Sequence, residues 1–101
     1  MLPKKLLGAA LRIGWEGHSQ DQRGLEMLSE RVPGFSPQEY AEARRRATEL
    51  DAATYESAAA WFASRGKGPY PNVDDLEERC PGFSGTDYSE AIGNNVTWAR
   101  K

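Results

Sequence analysis

Residues 28 to 43 read LSERVPGFSPQEYAEA, and residues 76 to 91 read LEERCPGFSGTDYSEA. The two stretches lie 48 residues apart, and ten of their sixteen aligned positions are identical. Ordinary residue frequencies would give about one match. A chain with such an internal repeat is constrained to build one local structure twice. The repeat describes architecture rather than activity, so function has to be read from the residues that decorate it.

The repeated stretch carries its own folding instructions. Residues before a proline are pushed out of the α region, so a helix must end near Val32 and again near Cys80. Pro33-Gly34 and Pro81-Gly82 then make a tight connection. Ser36 and Ser84 are N-cap residues, with Glu39 and Asp87 three positions later, which is the pattern of a capping box. Pro37 suits a first helical position. Phe35 precedes its cap and can staple onto Tyr40.

After Ser36 no helix breaker occurs until Gly66. Tyr40, Ala43, Ala47, Leu50, Thr54, Ala58 and Trp61 form a stripe with alternating steps of three and four, the signature of one buried helix face. Glu42, Arg45, Glu49 and Glu56 fall opposite, and Glu42 and Arg46 have i,i+4 pairing distance. Leu2 to about Glu16 shows helical spacing through Leu6, Leu7, Ala10, Leu11 and Ile13, before Gly14 and Gly17 suggest a turn. Asp21 to Arg31 and Val73 to Arg79 read as short helices, the second capped by Asn72. Gly66 to Asn72 (GKGPYPN) reads as a loop. The last helix is expected to be weak inside, because Gly93-Asn94-Asn95 are poor helix formers. No strand pattern appears. The expected fold is therefore all-α: a two-repeat helical array in a single domain, residues 1–101. One long central helix would be flanked by two shorter helices joined through Pro-Gly-Phe corners.

Composition narrows the function classes. The net charge is −2, which argues against an electrostatic interface with nucleic acid or an anionic membrane. The single cysteine excludes an internal disulfide and a Cys-based metal cluster, and fits a cytoplasmic protein. The N-terminal apolar run is broken by Arg12 and is too short for a signal sequence or a span. The abundance of alanine and arginine suggests a bacterial source.

Catalytic, metal and cofactor sites are not expected. His18 and Cys80 are each alone in the chain, and neither has the spacing of a nucleophile–base pair or a ligand set. Arg44-Arg45-Arg46 is the densest basic run, but successive helical residues point about 100° apart and glutamates surround them. The candidate partner-binding residues are four. Arg31 and Arg79 occupy the same position in the two corners, and a guanidinium fork suits a carboxylate or phosphate. A salt bridge within each corner, Arg31 to Glu42 and Arg79 to Glu90, would account for them more simply. Tyr70 lies between two prolines, placed either to meet a partner or to fold back on the helices. Asn95 aligns with Ala47 on the apolar stripe, so it needs a hydrogen-bond partner, inside the chain or across an interface.

The pattern L-x-x-L-x-x-R-x-P-G-F-S is similar to the first helix and loop of the ubiquitin-binding CUE and UBA domains. The resemblance covers about a dozen residues per repeat and implies a helix corner of the same kind. The helix that follows is far longer than such a three-helix domain contains. The expected function is a small non-enzymatic protein-binding or self-associating module, the latter as a homodimer through Ala47, Leu50 and Ala58 with Asn95 paired across the contact. Two rivals are a nucleic-acid-linked regulator, antitoxin-like or phage-derived, using Lys4, Lys5, Arg12 and Arg44 to Arg46, and a ligand carrier with a pocket lined by Tyr40, Tyr88 and Trp61.

Overall fold

The computed structural model describes residues 2–100, all helices and their connections, with no strand among them. The order is α1 (Lys4–Ile13), a π-helical segment (Gly14–His18), α2 (Gln22–Arg31), α3 (Pro37–Ala63), α4 (Val73–Arg79) and α5 (Gly85–Arg100). The all-helical class, the long central helix and the four other helical segments are as the sequence indicates. The chain divides into two compact units, Met1–Thr48 and Glu49–Lys101, and the boundary falls inside α3.

In the first unit, α1 starts after Pro3, whose carbonyl accepts from the N–H groups of Leu6 and Leu7. Leu6, Leu7, Ala10, Leu11 and Ile13 are buried, which is the face that the spacing marks. The helix loosens into a π turn and stops at Gly17, whose φ of +94° favours glycine. Asp21 caps α2 by accepting from Gly24 N–H at 2.8 Å. Gly24 has no room for a side chain: a Cβ there would lie 1.9 Å from the His18 carbonyl oxygen. From α3, Arg44 donates to the carbonyls of Asp21 at 2.8 Å and His18 at 3.3 Å, fixing the turn between α1 and α2. Leu28, Val32, Tyr40, Ala43 and Ala47 complete the buried hydrophobic set.

In the second unit, Leu50, Thr54 and Ala58 of α3 are buried with Leu76 of α4 and Phe83, Tyr88, Ala91 and Asn95 around and along α5. Thr54 satisfies its hydroxyl on the Leu50 carbonyl one turn back, at 2.6 Å. The end of α3 is closed by Gly66 N–H donating to the Trp61 carbonyl, with Arg65 and Gly66 both at positive φ. Helix α5 runs unbroken through Gly93-Asn94-Asn95. Low intrinsic propensity is overridden there because Ala91 and Asn95 are buried on the same face.

The two corners share their hydrogen bonds. The Tyr40 hydroxyl donates to the Val32 carbonyl at 2.8 Å and accepts from Phe35 N–H at 3.3 Å. The Tyr88 hydroxyl donates to the Cys80 carbonyl at 2.6 Å and accepts from Phe83 N–H at 3.3 Å. Each tyrosine therefore clasps both arms of its corner. Its ring also meets the corner phenylalanine edge-on, at 6.0 Å for Phe35 and 5.8 Å for Phe83. Both capping boxes form, Ser36 with Glu39 and Ser84 with Asp87. Gly34 and Gly82 take φ of +100° and +108°, which is why glycine follows the proline in both.

Candidate functional site

The corner arginines, identical in sequence, meet different surroundings. Arg31 does not bridge to Glu42. Its guanidinium grips Glu16, at the end of the π turn, with two prongs: Nη1 to Oε2 at 2.9 Å and Nη2 to Oε1 at 3.0 Å. Glu42 is taken instead by Arg45 and, at 3.8 Å, by Arg46 on its own helix, where i,i+3 and i,i+4 neighbours reach it first. The hydrogen bond from Arg31 is the main cause that holds the Glu16 carboxyl below the usual carboxylate range.

Arg79 has no such partner. Its nearest carboxylate is Asp75, one turn earlier, at 3.7 Å, and it reaches the Ser57 hydroxyl at 3.4 Å. Both contacts are at the outer limit for such bonds. The two arginines are alike in exposure, 41% for Arg31 and 45% for Arg79, so partner geometry rather than burial separates them.

Arg79 opens onto a cleft of about 330 Å³ in the second unit. One wall is α3, with Ser57, Ala60 and Trp61, and the other is the loop Gly68 to Asn72 with Asp75 and Arg79 of α4. The loop is anchored at both ends. Gly68 N–H donates to Ser64 Oγ at 2.8 Å, and Ser64 Oγ donates to the Trp61 carbonyl at 2.7 Å. At the far end Asn72 caps α4 by accepting from Asp75 N–H at 2.9 Å. Pro69 and Pro71 restrict the backbone between these anchors. Tyr70 is thereby laid against Trp61, edge to face, with ring centres 5.0 Å apart and planes at 86°. It remains 48% exposed. Of the two expectations for Tyr70, folding back is seen: its ring packs against Trp61, and its exposed part lines the cleft.

Asn95 belongs to the core. It is buried and donates to Asp51 Oδ1 at 2.8 Å and to the Ala91 carbonyl at 3.0 Å. Ala47, Leu50 and Ala58 are buried within the chain as well. The alanine-rich stripe expected to face a second copy is thus already covered, and the Asn95 amide N–H groups are both used within its own unit. Of Tyr40, Tyr88 and Trp61, expected to line a ligand pocket, only Trp61 lines this cleft; the rings of Tyr40 and Tyr88 are buried, each with its hydroxyl committed to its own corner.

The basic run is also absorbed. Arg44 is turned onto carbonyls of its own unit, Arg45 and Arg46 lie on Glu42, and Arg12 donates to the Gly8 carbonyl at 3.1 Å. His18 bonds Asp21 through Nδ1 at 2.8 Å, and that bond is the largest cause lowering the Asp21 carboxyl. Burial pushes the Cys80 thiol up, away from the nucleophilic thiolate. Among the described residues no three histidine, cysteine or carboxylate side chains are grouped to hold a metal ion, and no helix is long and apolar enough to cross a membrane.

Of the four candidates, the structure brings Arg79 and Tyr70 to one cleft, fastens Arg31 to Glu16, and buries Asn95. Sequence reasoning missed Ser57 and Asp75, and it grouped Trp61 with Tyr40 and Tyr88 where the cleft groups it with Tyr70 and Arg79. The helical period does place Ser57 and Trp61 one turn apart on α3, but nothing local says that the loop folds over them. No protein-family model matches the chain, and no curated protein or solved structure matches it either.

Proposed function

We propose that this chain is a small non-enzymatic protein-binding module of the cytosol, built as a two-repeat helical array whose second unit carries the binding surface. The observation that supports this best is the convergence of Trp61, Tyr70 and Arg79 on one cleft. Tryptophan, tyrosine and arginine are the side chains that dominate binding energy at protein interfaces. The cleft is framed by two prolines and by anchored loop ends, so little conformational freedom is lost when a partner docks. The matched corners support the repeat reading: two copies of one clasp hold helices in place, and the divergent loops between them supply the surface.

A second reading, a site for a small ligand, is favoured by one observation. The cleft volume of about 330 Å³ falls at the small end of the range for ligand pockets.

Display of random heptapeptides on the folded chain tests the module. Enriched sequences should lose at least about tenfold in affinity to Tyr70→Ala, a typical interface hot-spot loss. Tyr55→Ala is the control, since Tyr55 is 47% exposed but lies outside the cleft. Peptides that bind both variants like the wild type would contradict the proposed surface.

A further inference from the structure

The chain contains its own example of what a corner arginine binds. In the first unit the Arg31 fork is filled by a carboxylate, Glu16, in two bonds of 2.9 and 3.0 Å. Glu16 follows Trp15 directly in sequence. In the second unit the tryptophan is followed by Phe62, an aromatic residue that packs edge-on against Trp61 at 5.0 Å. Among the described residues no carboxylate forks onto Arg79, and Asp75 stays at 3.7 Å. The guanidinium carries five N–H donors, and its contacts here use Nη1 alone. A cation with long, single-pronged contacts at the edge of an aromatic cleft is matched by a planar anion that can take both prongs.

We propose that the cleft takes a peptide segment bearing a carboxylate beside a flat apolar side chain, with the carboxylate forked onto Arg79 and the apolar group against Trp61 and Tyr70. This rests on the protein-binding reading above and adds the chemistry of the partner. The carboxylate replaces Asp75 as the main partner of Arg79, as Glu16 fills the place of a corner glutamate on Arg31. A glutamate or aspartate side chain and a free peptide C-terminus offer the same planar anion.

The test uses the full chain, labelled with ¹⁵N, and two pairs of synthetic peptides. One pair is acetyl-Gly-Ala-Phe-Glu-Ala-Gly-amide and its twin with glutamine in place of glutamate. The other is acetyl-Gly-Ala-Phe with a free carboxylate and its amide. The Trp61 indole N–H and the Arg79 Nε–H report binding. At least one acid should bind about tenfold or more tightly than its neutral twin, a normal difference for a charge-assisted, two-pronged bond. The pair that shows the gap identifies the source of the carboxylate. Arg79→Gln should close the gap, and Arg79→Lys, which keeps the charge but not the fork, should restore only part of it. Acid and neutral twins of equal affinity would overturn the carboxylate while leaving peptide binding in the cleft intact. If none of the four shifts either reporter, the proposal is overturned. The general protein-binding reading would then be judged by the display experiment alone.

Discussion

The first unit spends its corner arginine on itself, and the second does not. Arg31 and Arg79 share a sequence position, an almost identical backbone corner and similar exposure, yet one is forked onto Glu16 and the other touches Asp75 and Ser57 at long range. The corners are the same because each needs the same things: a left-handed glycine, a capped helix start and a tyrosine hydroxyl to satisfy a carbonyl and an N–H. The surroundings differ because the connections before them differ. The first unit approaches its corner through a π turn that delivers Glu16, and the second through a proline-framed loop that delivers Tyr70. The shared motif gives both corners the same hydrogen bonds, and the divergent linking segments set what surrounds each arginine.

The largest expected contrast lies in the corner phenylalanines. Phe83 is buried, whereas Phe35 is half-buried despite its identical motif. Phe83→Ala should cost about 3–5 kcal/mol and Phe35→Ala about half of that, measured by urea unfolding. Equal losses would mean that the two corners are energetically interchangeable and that the contrast stops at the surface.

Two glycines sharpen the comparison at intermediate size. Gly24→Ala must move α2 off the His18 carbonyl and should cost about 1–3 kcal/mol. Gly93→Ala, on α5, meets nothing within 4 Å and should stabilise by about 0.5–1 kcal/mol. Thermal melting of both variants checks the pair. A neutral Gly24→Ala would show that α2 does not need its close approach to the turn.

Much of the fold was legible because its signals are local. The corner, both capping boxes, the end of α2 before Pro33 and the stripe from Tyr40 to Ala58 follow from residue type and spacing. What spacing could not supply were contacts between distant segments. Arg31 and Glu16 are fifteen residues apart and meet only because the π turn folds back; helical spacing pointed to Glu42 instead. Asn95 was recognisable as a polar residue on a buried face, but its partner Asp51 is forty-four residues away. Propensity misjudged Gly93-Asn94-Asn95 because burial of one helix face outweighed it. The cleft was half legible: Tyr70 and Arg79 stood out as residue types, and their convergence depends on the folded loop.

The smallest expected effect is on the acid side. Glu16 and Asp21, both in the first unit, are held below the usual carboxylate range by Arg31 and by His18 respectively. A carboxyl with a lowered folded pKa contributes stability above its unfolded value and loses it as pH falls through the folded one. Below about pH 4 the amides of α2 should therefore gain hydrogen exchange sooner than those of α4. Simultaneous loosening of both helices would remove this distinction, and Glu16→Gln should reproduce the α2 loosening already at pH 6.

Guanidinium rotation in the free chain tests the central contrast most directly. Arginine side-chain ¹⁵N exchange spectra distinguish a fork held by two bonds from one that turns freely. The account predicts slow rotation about the Arg31 Nε–Cζ and Cζ–Nη bonds, fast rotation for Arg79, and slowing of Arg79 alone when the carboxylate peptide is added. Equal rotation rates for the two arginines in the free chain would contradict it.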